Sequence, residues 1–219
     1  MCLEVFLPQP QHFVQPGVVG AQHRIVGGSG DFGRGLATRL RALGEEVVLG
    51  SRNPRGELVP NAVACQSADL VFLSVPPGGV EETVQGIRDR LVGKIIVSVA
   101  APIVFRDGKP GAQAGPISLA EIAQRTAPAS IVVAGFHTVS AKLLARSEVP
   151  LDEDVLLAGD DPEAKAIVGG LAERLVEGRA VDAGRLEVAR WLETLTAVLL
   201  NVNRTYKANA GIRITGLDE

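Results

Sequence analysis

The chain has 219 residues, 46% of them hydrophobic and 21% charged, with a formal net charge of -3 and a mean hydropathy of +0.21. A chain of this size can bury a substantial core in one large domain, or in one domain with a small appendage. There is no basic surplus for nucleic acid and no polybasic segment for an anionic membrane surface, so small molecules are the expected partners.

Residues 1–22 lack the positively charged start and continuous apolar stretch of a secretory signal. Pro8, Pro10 and Pro16 interrupt any helix there, so the segment reads as an irregular extension. No run of about 18 apolar residues occurs, and no membrane span is expected. Cys2 and Cys65 are too few for a disulfide framework and stand in no Cys/His cluster able to hold a metal, which fits a reducing cytoplasm. His12 and His23, in or beside the extension, receive no role.

From His23 onward, short β-branched runs alternate with segments whose apolar residues fall at helical spacing, the pattern of an α/β fold. Strands are predicted at 24–27, 46–50, 69–75, 94–100, 130–136 and 155–159, and their continuous hydrophobicity suits a mostly parallel sheet covered on both faces. The first helix, about 30–43, aligns Phe32, Leu36, Leu40 and Leu43 on one stripe and ends at Gly44, which can turn left-handed. Residues 101–116, rich in glycine and proline, read as a long loop of the kind that often carries function. Ser118 and Glu121 have capping-box spacing, and Asp161-Pro162-Glu163 announces another helix start. The organisation shifts near 178–184, after which a single long helix, 185–206, carries Leu186, Leu192, Leu195, Leu199 and Val202. That stripe reads first as core packing, and alternatively as a dimer face or the floor of a cleft.

Within this pattern, residues 24–33 read RIVGGSGDFG, where Gly28, Gly30 and Gly33 form GxGxxG between a strand and a helix. Gly28 allows a tight turn, Gly30 lets a pyrophosphate approach the backbone, and Gly33 lets the helix pack closely on the strand. The expected fold is therefore a Rossmann-type, doubly wound, mostly parallel sheet over 23–177, with a small C-terminal helical portion over 178–219. The second strand ends in Ser51-Arg52-Asn53-Pro54-Arg55, with no acid to hold a ribose 2′-hydroxyl. A serine hydroxyl and a guanidinium suit the 2′-phosphate of NADP instead, and the bland alternative is an arginine on a solvated loop.

Hydride transfer needs two carbons in near-attack geometry, and a protonating side chain only when a carbonyl or imine is reduced. None of the five lysines, Lys94, Lys109, Lys142, Lys165 and Lys207, falls within 185–206, where a β-hydroxyacid dehydrogenase would present one. The single tyrosine, Tyr206, belongs to no Tyr-x-x-x-Lys pair, which disfavours short-chain dehydrogenase chemistry. No residue is assigned as catalytic. Ser74, Val75 and Pro76, ending the third predicted strand, and Ala100, ending the fourth, either line a nicotinamide pocket or are ordinary strand exits. His137 follows a strand, and either hydrogen-bonds a ring substrate or ties down the adjacent turn.

Several of these segments together resemble the NADPH-dependent reductases of the 8-hydroxy-5-deazaflavin coenzyme F420. The likeness spans about 24–217 and rests on 27–33, Gly50-Ser51-Arg52, Phe136-His137-Thr138-Val139, Gly159-Asp160-Asp161, Asp182-Ala183-Gly184, Leu192-Glu193-Thr194-Leu195-Thr196 and Gly211-Ile212-Arg213. The resemblance implies hydride exchange between NADP(H) and the deazaflavin in a cleft that the C-terminal portion completes, in a protein that is usually a dimer. It carries NADP binding to Ser29, Asp31, Phe32, Ser51 and Arg52, and places His137, Val139, Gly211 and Ile212 beside the deazaflavin. The soluble domains of membrane metalloreductases share the Gly-Ser-Arg-Asn-Pro turn but are less similar after Phe136. Two departures stand out: only 53–68 separates the Ser-Arg turn from the next strand, leaving little room for a crossover helix, and Pro76-Pro77-Gly78-Gly79 replaces a stretch where some relatives carry an aromatic residue. Two other readings remain beside this one, an NADPH reductase of a flavin or of a small carbonyl or imine, and a non-catalytic NADPH sensor.

Overall fold

A computed structural model describes residues 22–66 and 68–217. The expected N-terminal extension, with Cys2 and His12, lies outside the described residues apart from Gln22, which opens the first strand. In chain order the elements begin with β1 (Gln22–Val26), α1 (Asp31–Ala42), β2 (Glu46–Ser51), β3 (Val59–Pro60), α2 (Asn61–Ala64), β4 (Leu70–Leu73) and α3 (Val80–Ile87). They continue with β5 (Ile95–Ser98), β6 (Ile103–Arg106), β7 (Lys109–Ala112), α4 (Leu119–Thr126), β8 (Ile131–Ala134), α5 (Ala141–Leu144), β9 (Val155–Gly159), α6 (Pro162–Leu175), β10 (Ala180–Gly184) and α7 (Ala189–Tyr206).

The described strands form an eight-stranded sheet in the order β10-β9-β8-β5-β4-β1-β2-β3 and a separate β6-β7 ribbon. The large sheet is parallel except that β9 runs antiparallel to β8, with Val133 opposite Gly159 and Ala134 opposite Ala158. Alternation along the strands divides the core: Ile25, Phe72, Val97 and Val133 pack with α1 and α6, whereas Val26, Val71, Leu73, Ile96 and Val132 pack with α3, α4 and α7. Both faces are thus covered by helices, and the sheet is doubly wound as the sequence predicts.

Local signals produce the expected helix ends. Ser118 Oγ accepts from the Glu121 N–H at 3.0 Å while Glu121 accepts from the Ser118 N–H at 2.7 Å, completing the capping box of α4. Asp161 accepts from the Ala164 N–H at 2.8 Å with Pro162 in the first turn of α6. Gly44, at φ +81°, follows α1 in the left-handed region.

Three segments differ from the sequence reading. Residues 101–116 contain a β-hairpin rather than a continuous loop: Asp107 and Gly108, at φ +50° and +69°, turn β6 into β7. Residues 180–184 form a strand that pairs with β9, with a register shift between Asp182 and Gly184, so the change to a single helix comes after Gly184. In the short segment 53–68, a two-residue β3 and a one-turn α2 take the place of a crossover helix, yet β3-β2-β1-β4-β5 keeps the usual order of a dinucleotide-binding sheet.

Candidate functional site

The candidate site lies along the edge where β1, β2, β4, β5 and β8 end, because in an open α/β sheet the loops leaving those ends converge on a ligand. At its centre is the β1–α1 turn. The left-handed residue there is Gly27, at φ +79°, and not Gly28 as the motif alone suggests. A Cβ on Gly27 would lie 2.1 Å from the Ser74 carbonyl oxygen. Gly28 is required for closeness instead, since its Cβ would lie 2.7 Å from Leu49 Cδ2, and its N–H donates to the Gly50 carbonyl at 2.8 Å. A Cβ on Gly33 would come within 2.9 Å of Gly28 Cα, which confirms the close helix-to-strand packing.

Gly30 is the N-cap of α1 and has no side-chain cap, so the first-turn N–H groups of Asp31, Phe32 and Gly33 face outward at the positive end of the helix. A Cβ on Gly30 would meet nothing nearer than Gly27 oxygen at 3.9 Å, so open space adjoins this backbone. Ser29 is exposed, and its carbonyl accepts from Arg34 Nε at 3.0 Å. This cradle fits a pyrophosphate.

Ser51 and Arg52 close β2 beside the cradle. Ser51 is buried and its Oγ accepts from the Asn53 N–H at 3.1 Å. The Arg52 side chain is 57% exposed and its Nη1 lies 3.4 Å from Glu82 Oε2. A hydroxyl and an exposed guanidinium at this corner fit a phosphorylated ribose. Ser74 and Val75, which follow β4, form the wall against which Gly27 is pressed, and Ala100 is buried just beyond β5. Pro76 leads into the 3-10 turn Pro77–Gly79 that starts α3.

His137 follows β8 and is buried, as is Val139. Its neighbour Phe136 has φ +65°, a conformation that costs about 1–3 kcal/mol in a non-glycine residue. Complete burial of the Phe136 ring, edge-on to Phe72 with centroids 5.8 Å apart, offsets this by about 1.5–3 kcal/mol. The kink is therefore held by packing. Thr196 on α7 donates to the His137 carbonyl at 2.8 Å. Neither imidazole nitrogen makes a hydrogen bond of good geometry among the described residues, the Ala100 backbone being a loose partner. Burial pushes the His137 pKa down to about 4, with the nearby Ala100 backbone acting weakly the other way, so the ring is neutral at pH 7. A neutral, buried imidazole held only loosely by the Ala100 backbone can donate to or accept from a ring ligand.

The C-terminal tail joins this end of the cleft through Glu153. A Cβ on Gly211 would lie 2.4 Å from Glu153 Oε2, and the Ser140 backbone donates to the same carboxyl. The Ile212 carbonyl accepts from the Asp154 N–H at 2.7 Å, the Ile214 N–H donates to Asp154 Oδ2 at 2.7 Å, and Arg213 pairs with Asp152 and Asp154. The predicted residues thus form two groups, one around the glycine loop and Ser51, the other joining 137–140 to 211–212.

Four contributors receive no role in the sequence reading: Gly27, Glu82, Glu153 and Glu193. Only Gly27 leaves a local signal, the doubled glycine. Glu193 on α7 accepts from the N–H groups of Leu119 and Ala120 at 3.0 and 2.9 Å, fastening α7 to the start of α4. Burial raises its pKa to about 7 against the pull of those two N–H groups. Among the described residues no cluster of three or more His, Cys, Asp or Glu side chains is arranged for a metal ion, and no helix is long and apolar enough to cross a membrane.

The profile of the family described as "NADP oxidoreductase coenzyme F420-dependent" matches residues 24–102. The chain is 35% identical to the F420-dependent NADP reductase of Methanocaldococcus jannaschii, over 89% of its own length and 98% of the relative's. It is 34% identical to metalloreductase STEAP3 of Rattus norvegicus over 79% of its length but only 36% of that protein's. Among solved structures, one from Arthrobacter sp. FB24, described as a candidate F420-dependent NADP reductase, superposes with a TM-score of 0.80 at 28% identity, covering 90% of this chain and all of the other.

Proposed function

The chain belongs to the coenzyme F420-dependent NADP oxidoreductase family, and on that premise we propose that it moves a hydride between NADP(H) and the 8-hydroxy-5-deazaflavin of coenzyme F420. The observation that carries this reading is the Ser51-Arg52 corner, with no acid on either residue, beside an uncapped helix start. Gly28, Ser29, Gly30, Asp31, Phe32 and Gly33 would hold the pyrophosphate, and Ser51 and Arg52 the 2′-phosphate. Ser74, Val75, Pro76 and Ala100 would flank the nicotinamide. His137, Val139, Gly211 and Ile212 would border the deazaflavin.

The two bound coenzymes supply the hydride donor and acceptor carbons themselves. The protein's part is to hold the rings together and exclude water from between them. The buried walls at Ala100, His137 and Val139 suit water exclusion. The neutral His137 ring suits orientation by hydrogen bonding without placing a fixed charge beside the rings.

A homodimer is part of the proposal. Support comes from Phe105 on β6 and from Trp191, Val198 and Tyr206 on α7, which expose 68%, 60%, 55% and 76% of their surfaces. A cytoplasmic location accords with the buried Cys65. Mixing the purified protein with NADPH and the oxidised deazaflavin should bleach the deazaflavin absorbance at a rate proportional to enzyme. An unchanged spectrum at every pH tried would reject the assignment.

A further inference from the structure

We propose that Glu82 competes with the 2′-phosphate of NADP(H) for Arg52, and so sets how tightly the phosphorylated cofactor is held. The inference rests on the proposed contact between Arg52 and that phosphate. Strand order β4-β1-β2 puts the glycine loop, which follows β1, between the exits of β2 and β4. Arg52 follows β2, and Glu82 lies in the first turn of α3, which follows β4. The two side chains nevertheless meet, Nη1 to Oε2 at 3.4 Å, across 30 residues of sequence. Their ion pair therefore links the exits of the two strands that flank the glycine loop, with its Arg52 end at the proposed 2′-phosphate corner.

The pair is a single, long contact between side chains 57% and 77% exposed, so it is weak and readily broken. A phosphate dianion offers Arg52 more charge and a bidentate geometry, and takes the guanidinium from the carboxylate. Glu82 is then left beside a dianion, and the repulsion subtracts from the affinity gained. A cofactor with a plain 2′-hydroxyl brings no rival anion, so it does not incur this repulsion. Glu82 accordingly acts as a specificity-determining residue that weakens the binding of NADP(H) selectively, in a position where it favours release of the used cofactor.

The test is to measure dissociation constants of NADPH and NADH for the full-length protein and its E82Q, E82D, R52A and R52A/E82Q variants, with thermal denaturation to verify folding. E82Q should bind NADPH about two- to fivefold more tightly at low salt, with NADH changed by less than about twofold and E82D close to the parent. The gain should be smaller when Arg52 is also alanine, because only the direct repulsion between Glu82 and the phosphate is then left to relieve, and it should shrink near 0.5 M salt, roughly where the screening length falls to a few ångströms. Weaker NADPH binding by E82Q would mean that Glu82 orients Arg52 for the phosphate, and would overturn the proposal. So would unchanged binding by E82Q while R52A still loses NADPH selectively. If R52A loses both cofactors equally, the phosphate contact itself fails and the competition falls with it.

Discussion

The glycine-loop side of the cleft and the side formed by His137 and the C-terminal tail are built over very different distances along the chain. The first is assembled almost wholly within residues 27–52, by backbone whose shape follows from glycine and from one strand-helix junction. The second brings His137 together with Thr196 of α7, and Ser140 with Gly211 through Glu153. A phosphate can be met by local N–H groups, whereas a wall for a flat ring has to be imported from elements that pack only when the whole sheet is complete. Damage to the first side should therefore be steric or electrostatic and local in cause, and damage to the second should follow the stability of the fold.

The largest effect is expected from Gly27→Ala, which forces a left-handed alanine and sets its Cβ against the Ser74 carbonyl. Unfolding free energy should fall by about 4 kcal/mol or more, read by denaturant titration. A loss under about 1 kcal/mol would show that the loop can move away from β4. Next, Arg52→Ala should weaken NADPH about ten- to hundredfold while NADH hardly changes, because charge-assisted bonds to a phosphate are worth about 1.5–3 kcal/mol. Its melting temperature should stay near the parent's, since the exposed pair with Glu82 adds little to stability. Equal losses for the two cofactors would break the contrast between the sides.

The smallest effect is a pH dependence arising on the second side. Burial raises the Glu153 carboxyl from its ordinary 4.5 to about 7, with Arg39 pulling the other way, and Glu193 shifts similarly. A raised carboxyl contributes stability that is complete below about pH 4.5 and is lost as pH rises through about 7. His137 acts oppositely, its contribution being present above 6.5 and lost as pH falls through about 4. With two carboxyls against one imidazole, the melting temperature should decline between about pH 5 and 8, and less steeply in Glu153→Gln. A profile that rises over this interval, or an identical slope in the variant, would mean that Glu153 is ionised in the fold at neutrality.

What the sequence disclosed follows the same division. GxGxxG, the capping box at Ser118 and the Asp161 cap depend on neighbours a few residues away, and all three could be read directly. The Asp107-Gly108 hairpin was readable in principle, but prolines and glycines on both sides gave it the composition of a loop. In β10, Ala180-Val181-Asp182-Ala183-Gly184, only one residue is large and apolar, and pairing with β9 makes it a strand. Glu193 has the sequence context of an exposed helical position, and its burial depends on the start of α4, more than 70 residues away. Gly211 had no signal beyond family resemblance, because the reason for a glycine there is the carboxyl of Glu153 beneath it.

A long open sheet offers two rims to which another chain's strand could add, and here both are blunted. At one end β3 has only two residues, and Pro60 has no N–H to offer a newcomer. At the other end β10 breaks register between Asp182 and Gly184, and Asp182 carries an ion pair to Lys165. Strand-to-strand polymerisation is thereby discouraged at both margins of the large sheet, which leaves helical and ribbon surfaces as the routes to self-association.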